Sequence, residues 1–225
     1  MKVKLLSYSQ INPGAFKDDE ITDYPRTAQE LVAFCARVSN PTNQFNSRTS
    51  DRLIKYLIEH QHWSPLEMVS ACLEIRTTRD IARQLLRHRS FSFQEFSQRY
   101  ADPIKELSFV FRQARLQDPS NRQNSIETKD EMLQAKWENM QANVIHVAKS
   151  AYTWAIENGI AKEQARCVLP EGMTESVLYV NGTLRSWIHY IALRSANGTQ
   201  QEHQELAKIC AEIISHIFPL IKDYV

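Results

Sequence analysis

Glycine is so scarce in this chain that two familiar ways of building a nucleotide site are closed to it. Only five occur in 225 residues, at Gly14, Gly159, Gly172, Gly182 and Gly198. The G-x-G-x-x-G turn and the P-loop both need glycines at fixed short spacing, because only a residue without Cβ lets the backbone close on a phosphate. Neither can be written here. Any phosphate this chain holds must be gripped by side chains and helix ends.

Caps and periodicity divide the rest. Thr27-Ala28-Gln29-Glu30 reads as a capping box opening a helix with Leu31, Val32, Phe34, Cys35 and Val38, which ends near Ser39-Asn40-Pro41. Ser50 is read as the cap of a second helix with Leu53, Ile54, Leu57 and Ile58 on its inner stripe. Alternation from Leu66 to Arg76 predicts a strand. Thr77 and Asp80 then predict a helix with Arg76, Arg79, Arg83 and Arg87 near one face, and Leu107 to Phe111 reads as extended. Leu116 to Glu127 is polar and reads as a mobile loop.

A long helix follows, since Leu133, Trp137, Met140, Val144, Ala148, Ala151 and Ala155 recur at three- and four-residue steps until Gly159 stops it. Trp137, Met140 and their neighbours are expected in the core. Helices over Lys162 to Leu169, Thr183 to Arg194 and Gln201 to Ile217 complete a predominantly helical α+β chain, one domain over residues 1–225 with a small antiparallel sheet.

A formal charge of +1 makes any basic cluster a local feature and argues against a nucleic-acid partner. Cys35, Cys72, Cys167 and Cys210 form no C-x-x-C pair, Met1 is followed by no secretory leader, and no apolar run approaches a bilayer span. The expectation is a soluble, cytoplasmic protein with no membrane association and no metal, for His60-Gln61-His62 lacks the further ligands a site would need.

The chemistry concentrates in Arg87-His88-Arg89-Ser90-Phe91-Ser92-Phe93-Gln94-Glu95-Phe96-Ser97-Gln98-Arg99-Tyr100. Guanidinium forks grip phosphate or carboxylate bidentately, and several together need a multiply charged ligand. Arg87-His88-Arg89, followed after seven residues by Ser97 and then Arg99, resembles the signature of flavin-dependent thymidylate synthases. Ala36-Arg37-Val38-Ser39, His62 to Glu67, Ala165 to Pro170 and Leu184 to Arg194 fit the same family pattern in order.

The resemblance implies a homotetramer that binds FAD and converts dUMP, methylenetetrahydrofolate and NADPH into dTMP, tetrahydrofolate and NADP. Carried over by position, it assigns Ser39, Ser64, Arg87, His88, Arg89, Glu95, Thr183, Arg185 and His189 to FAD. It assigns Gln84, Leu85, Leu86, Arg87, Glu95, Phe96, Ser97, Gln98, Arg99, Arg166 and Arg194 to dUMP. Arg194 carries the catalytic role, stabilising negative charge on the pyrimidine. Gln94 and Thr183 stand where the family often has Asn, and Asn181 is an alternative to Thr183.

Other readings of the same residues exist. Ser97 as a nucleophile needs an adjacent base, and the sequence orders none. A binding module would set Arg87, Arg89 and Arg99 on phosphates and stack Phe91, Phe93 and Phe96 on bases. Alone, Arg166 is an ordinary surface residue, and Arg76 and Arg79 a solvated face.

Overall fold

The computed structural model describes residues 1–16 and 24–224. Strand β1 (Lys2–Tyr8) is followed by α1 (Ala28–Ala36), α2 (Ser50–Glu59), β2 (Ser70–Thr78), α3 (Arg79–Leu85) and β3 (Ser92–Glu95). Then come α4 (Pro103–Glu106), β4 (Arg115–Gln117), β5 (Ser125–Glu127), α5 (Glu131–Glu157), α6 (Lys162–Ala165), β6 (Glu175–Thr183), α7 (Leu184–Arg194) and α8 (Gln201–Ser215). A four-stranded antiparallel sheet in the order β1-β2-β6-β3 organises them, and β4 and β5 pair separately. The architecture is α+β, as expected.

Thr27 caps α1 as predicted, its hydroxyl accepting from the Glu30 amide at 3.2 Å, while the Glu30 carboxylate reaches back to the Arg26 amide at 2.6 Å. In β2, Ala71, Leu73 and Ile75 are fully buried between half-buried Cys72 and Glu74, so the predicted alternation holds. The strand starts later than expected. Pro65 has no N–H to give to a ladder, and Ser64–Met68 forms a 3-10 turn instead.

The α3 cap also moves by one residue. Thr77 continues the inward alternation of β2, and Thr78 takes the N-cap position of α3 without a side-chain capping bond, its hydroxyl donating instead to Asp80 Oδ1 at 2.5 Å. Arg76 accordingly belongs to β2, pairing with Glu74 at 3.3 Å, and not to a helix face with Arg79 and Arg83. Ser50 does not cap α2: it is the first helical residue, and its buried hydroxyl has no hydrogen-bond partner. Among the described residues, segment 107–111 makes a single isolated bridge, Phe109 to Thr174.

Segment 116–127 is a β-hairpin, not a loose loop. Asp118 Oδ1 accepts from the Ser120 amide at 2.7 Å and the Asn121 amide at 3.1 Å, and Gln117 Nε2 donates to the carbonyls of Asp118, Asn121 and Asn124. Polar composition misled here because the polar side chains bond their own turn.

The 27-residue α5 is capped by Asp130, which accepts from the Leu133 amide at 3.0 Å, and stops as predicted at Gly159, where φ is +78°. Its inward side chains are Gln141, Ile145, Ala148, Tyr152 and Ala155. Trp137 and Met140 are not core: they are 43% and 51% exposed, in a stripe with Leu133, Val144, Val147 and Trp154.

The main core lies between the sheet and α7 and α8, with Trp187, Tyr190, Leu206 and Phe218 sealed from solvent. Trp187 Nε1 donates to the Ala71 carbonyl at 3.1 Å, tying α7 to β2. Phe91 lies so close to β6 that a Cβ at Gly182 would meet its ring at 2.2 Å. Glycine here lets the arginine-rich segment seat on the sheet.

Candidate active site

The first cluster forms where β6 passes into α7. Thr183 caps α7 by accepting from the Ser186 amide at 3.4 Å, and its hydroxyl donates to Glu67 Oε2 at 2.7 Å. Arg185 Nη1 donates to Glu67 Oε1 at 2.7 Å. The hydrogen bonds from Arg185 and Thr183 hold the Glu67 carboxyl below its usual range. One turn on, His189 packs edge-on against Trp63, ring centres 4.2 Å apart, and burial followed by the Arg185 charge lowers its pKa while Glu67 opposes. Ser64 opens the 3-10 turn carrying Glu67. Thus Ser64, Thr183, Arg185 and His189 share one corner. Asn181 sits further back in β6, opposite Cys72 and Ser92.

The second cluster is the turn after α3. Arg87 and Arg89 point to solvent and form no ion pair among the described residues, while His88 turns inward. Its Nε2 accepts from Arg194 Nε at 2.9 Å, so the ring carries its proton on Nδ1. Burial, then the Arg194 charge, pushes the His88 pKa down to about 4, leaving a neutral imidazole beside a permanent cation. The two Nη groups of Arg194 make no hydrogen bond among the described residues. Beneath, Gln84 bonds to Gln200 and His203. Leu85 is sealed in the core, so only its main chain remains to meet a ligand; Leu86 is partly buried against the same core.

The third cluster gathers acids and bases around β3. Glu95 accepts from Ser176 Oγ at 2.8 Å, from Arg83, and pairs with Arg79 at 3.7 Å. Arg79 is therefore a half-buried partner of Glu95 and Glu171, not a solvated face. After Phe96, Ser97 Oγ accepts from the Arg99 amide at 3.4 Å, and its carbonyl accepts from the amides of Tyr100 and Ala101. Among the described residues no general base bonds Ser97 Oγ, so a nucleophile reading has no structural support. Gln98 is buried with its Nε2 unpartnered. Arg99 pairs with Glu163 at 3.4 Å, and Arg166 Nε donates to the Glu163 carbonyl at 3.3 Å, so α6 brings Arg166 beside the Ser97 turn.

Ser39 stands apart, in a cleft of about 830 Å³ with Arg37, Asn46, Arg52 and Tyr56 that contains none of the other candidates. Residues missing from the sequence-based set are Glu67, Glu163, Gln200 and His203. Glu67 lay within a quoted patch and could have been named as the counter-charge of Arg185. His203 carries no such signal, being one polar residue on an apolar helix face.

The donor set suits a flavin dinucleotide. Unpaired Arg87 and Arg89 in one cluster, and the Ser64 hydroxyl and Arg185 in the other, are donors of the kind that phosphates take where no glycine cradle exists. His189 and Trp63 add flat rings at the corner of Ser64 and Arg185.

Residues 20–220 match the family model described as thymidylate synthase complementing protein. A probable flavin-dependent thymidylate synthase of Paramecium bursaria Chlorella virus 1 is 51% identical over 87% of this chain and 89% of its own length. The flavin-dependent thymidylate synthase of Synechocystis is 45% identical over 88% and 89%. The crystal structure of a UMP/dUMP methylase, PolB, from Streptomyces cacaoi bound with 5-Br dUMP superposes with a TM-score of 0.78 at 26% identity, covering 99% of this chain and 93% of that one. By its motifs, its fold and these relatives, the chain belongs to the flavin-dependent thymidylate synthase family.

Proposed function

We propose that this flavin-dependent thymidylate synthase turns dUMP into dTMP with the one-carbon unit of methylenetetrahydrofolate and reducing power from NADPH, as a cytoplasmic homotetramer of single-domain chains. The observation carrying this reading is the turn at Arg87-His88-Arg89, where two unpaired guanidiniums flank an imidazole bonded to Arg194. Bound FAD supplies the reducing hydride. Everything else falls to the chain.

Arg87, Arg89, Ser64 and Arg185 hold the cofactor's phosphates and orient it, with Arg185 braced by Glu67. The Ser97–Arg99 turn and Arg166 hold the nucleotide phosphate. Arg194 cannot act as a base, since arginine keeps its proton up to a pKa above about 12. Its cation instead stabilises negative charge on the pyrimidine ring, favouring ionisation at N3 and raising electron density at the carbon to be alkylated. Neutral His88 holds Arg194 Nε without adding a competing charge, leaving the Nη fork for substrate.

The exposed stripe of α5 supports assembly. Leu133, Trp137, Met140, Val144 and Val147 step by four and three, and Trp154 follows Val147 by seven, the spacing of helices that pack along a seam. The core draws on residues from Ala28 to Ile221, which supports one domain. All four cysteines are free, as a reducing compartment requires, and no helix among the described residues is long and apolar enough to cross a membrane.

The test is reconstitution with FAD, dUMP, methylenetetrahydrofolate and NADPH. dTMP should form, stop when any one is withheld, and come from a particle of four chains' mass by light scattering. Formation of dTMP without flavin, or retention of no flavin after desalting, would overturn the reading.

A further inference from the structure

His203 is wholly buried on α8, outside every motif quoted above, yet it touches a candidate nucleotide residue. Its Nδ1 lies 3.1 Å from Gln84 Oε1. Gln84 Nε2 in turn donates to Gln200 Oε1 at 2.7 Å, and Gln200 Nε2 donates to Glu202 Oε2 at 2.9 Å. The far end of this chain of bonds is a carboxylate held by Arg112 at 3.0 Å and Arg115 at 2.6 Å.

That carboxylate sets the direction of every bond. An ionised carboxylate only accepts, so Gln200 must turn its NH₂ towards Glu202 and its carbonyl towards Gln84. Gln84 must then offer its own NH₂ to Gln200 and its carbonyl to His203, and the imidazole must carry its proton on Nδ1. Burial alone would raise the Glu202 pKa, but its main-chain N–H, Arg112, Gln200 and Arg115 outweigh this and hold the carboxyl below its usual range. Burial first, then the charge of Arg194 and the closeness of the titratable His88 ring, pushes His203 down to about 3, so the ring stays neutral.

We propose that His203 is a positioning residue for nucleotide binding, closing the relay Glu202–Gln200–Gln84–His203 that fixes which atom of the Gln84 carboxamide donates and which accepts. One N–H and one lone pair of Gln84 are left over, and the relay presents them in a single orientation. Held by Gln200 alone, the carboxamide would keep its preferred direction but lose the second bond that stops it from swinging away from the ligand. The proposal rests on the reading of Gln84 as a dUMP contact.

The test compares FAD-loaded variants by calorimetric titration with dUMP. Asparagine places its NH₂ close to the position of histidine Nδ1, whereas glutamine places it nearer Nε2. His203→Asn should keep dUMP affinity within about twofold, while His203→Gln and His203→Leu should weaken it about tenfold, the loss of one buried hydrogen bond. Gln84→Ala should weaken it equally, and His203→Leu added to Gln84→Ala should cost nothing more. If His203→Leu does not fold, the Asn and Gln variants carry the comparison alone.

Weakening by Gln84→Ala with Asn and Gln variants of His203 indistinguishable would overturn the role of His203 while sparing that of Gln84. No effect of Gln84→Ala would overturn both. Independently, side-chain nitrogen-15 spectra should show His203 protonated on Nδ1 and bare on Nε2; the opposite tautomer would break the relay.

Discussion

Helix α7 buries Trp187, Ile188, Tyr190 and Ile191 inside its own chain, whereas α5, more than twice as long, leaves Trp137, Met140, Val147 and Trp154 on its surface. Both are apolar at helical spacing. The difference is what lies opposite: α7 has the sheet and α8, and α5 is covered, among the described residues, along the side of Gln141, Ile145, Ala148, Tyr152 and Ala155. Apolar surface in water costs roughly 25 cal/mol per Å², which is a pressure to be covered by something. Periodicity in a sequence reports that pressure without naming the cover.

The same contrast runs through the polar groups. His88, Arg194, Gln84 and His203 are joined within the chain, while Arg87 and Arg89 face outward. Lesions on the inward set should act on chemistry or folding, and lesions on the outward set on assembly and cofactor.

The largest effect belongs to Arg194→Ala, which should lower turnover on the order of 10²- to 10³-fold while a flavin absorbance spectrum and the particle mass stay unchanged. Wild-type turnover would remove Arg194 from the chemistry. Next comes the double change Val147→Glu with Trp154→Glu. Light scattering should show a smaller particle, since residues central to an interface contribute about 2 kcal/mol or more each, while the lone chain loses less than about 0.5 kcal/mol. An unchanged mass would mean the stripe is not a seam.

Gly182→Ala tests the inward packing directly. With Phe91 2.2 Å from the added carbon, it should cost about 1–3 kcal/mol by thermal melting and loosen flavin retention by unseating the arginine-rich turn. A native melting curve would show that Phe91 yields freely. The smallest effect is acid sensitivity. His88 and His203, lowered from 6.5 to about 4 and about 3, bind protons more readily unfolded than folded. Their stabilisation is complete above pH 6.5 and falls as pH drops towards 3, by at most about 1.4 kcal/mol per pH unit each. His203→Asn should flatten the curve between pH 4 and 3; an identical curve would mean that the ring is charged in the folded state.

Sequence reading went furthest where one residue decides locally. Thr27 capping α1 and Gly159 ending α5 are settled by their own backbone needs. It faltered by a residue at Thr77 and Thr78, where either threonine could cap and only the inward face of β2 chooses. Hairpin 115–127 was missed because Asp118 and Gln117 stabilise their turn with side chains that read as loop composition. In the candidate site, Arg87 to Arg99 announced themselves by density, whereas His203 is defined by a pairing 119 residues away in the chain. No local pattern carries that.

Helix α7 has one more consequence, for what evolution can do with this chain. Arg185 meets Glu67 at one end and Arg194 meets His88 at the other, nine residues apart, or about 13.5 Å at 1.5 Å per residue. The helix is a measuring rod between two fixed anchors. One inserted residue would swing Arg194 through about 100° and carry it off His88. Length can drift at the tip of the β4–β5 hairpin, but between those two arginines insertions and deletions should be purged even where every side chain on the rod is free to vary.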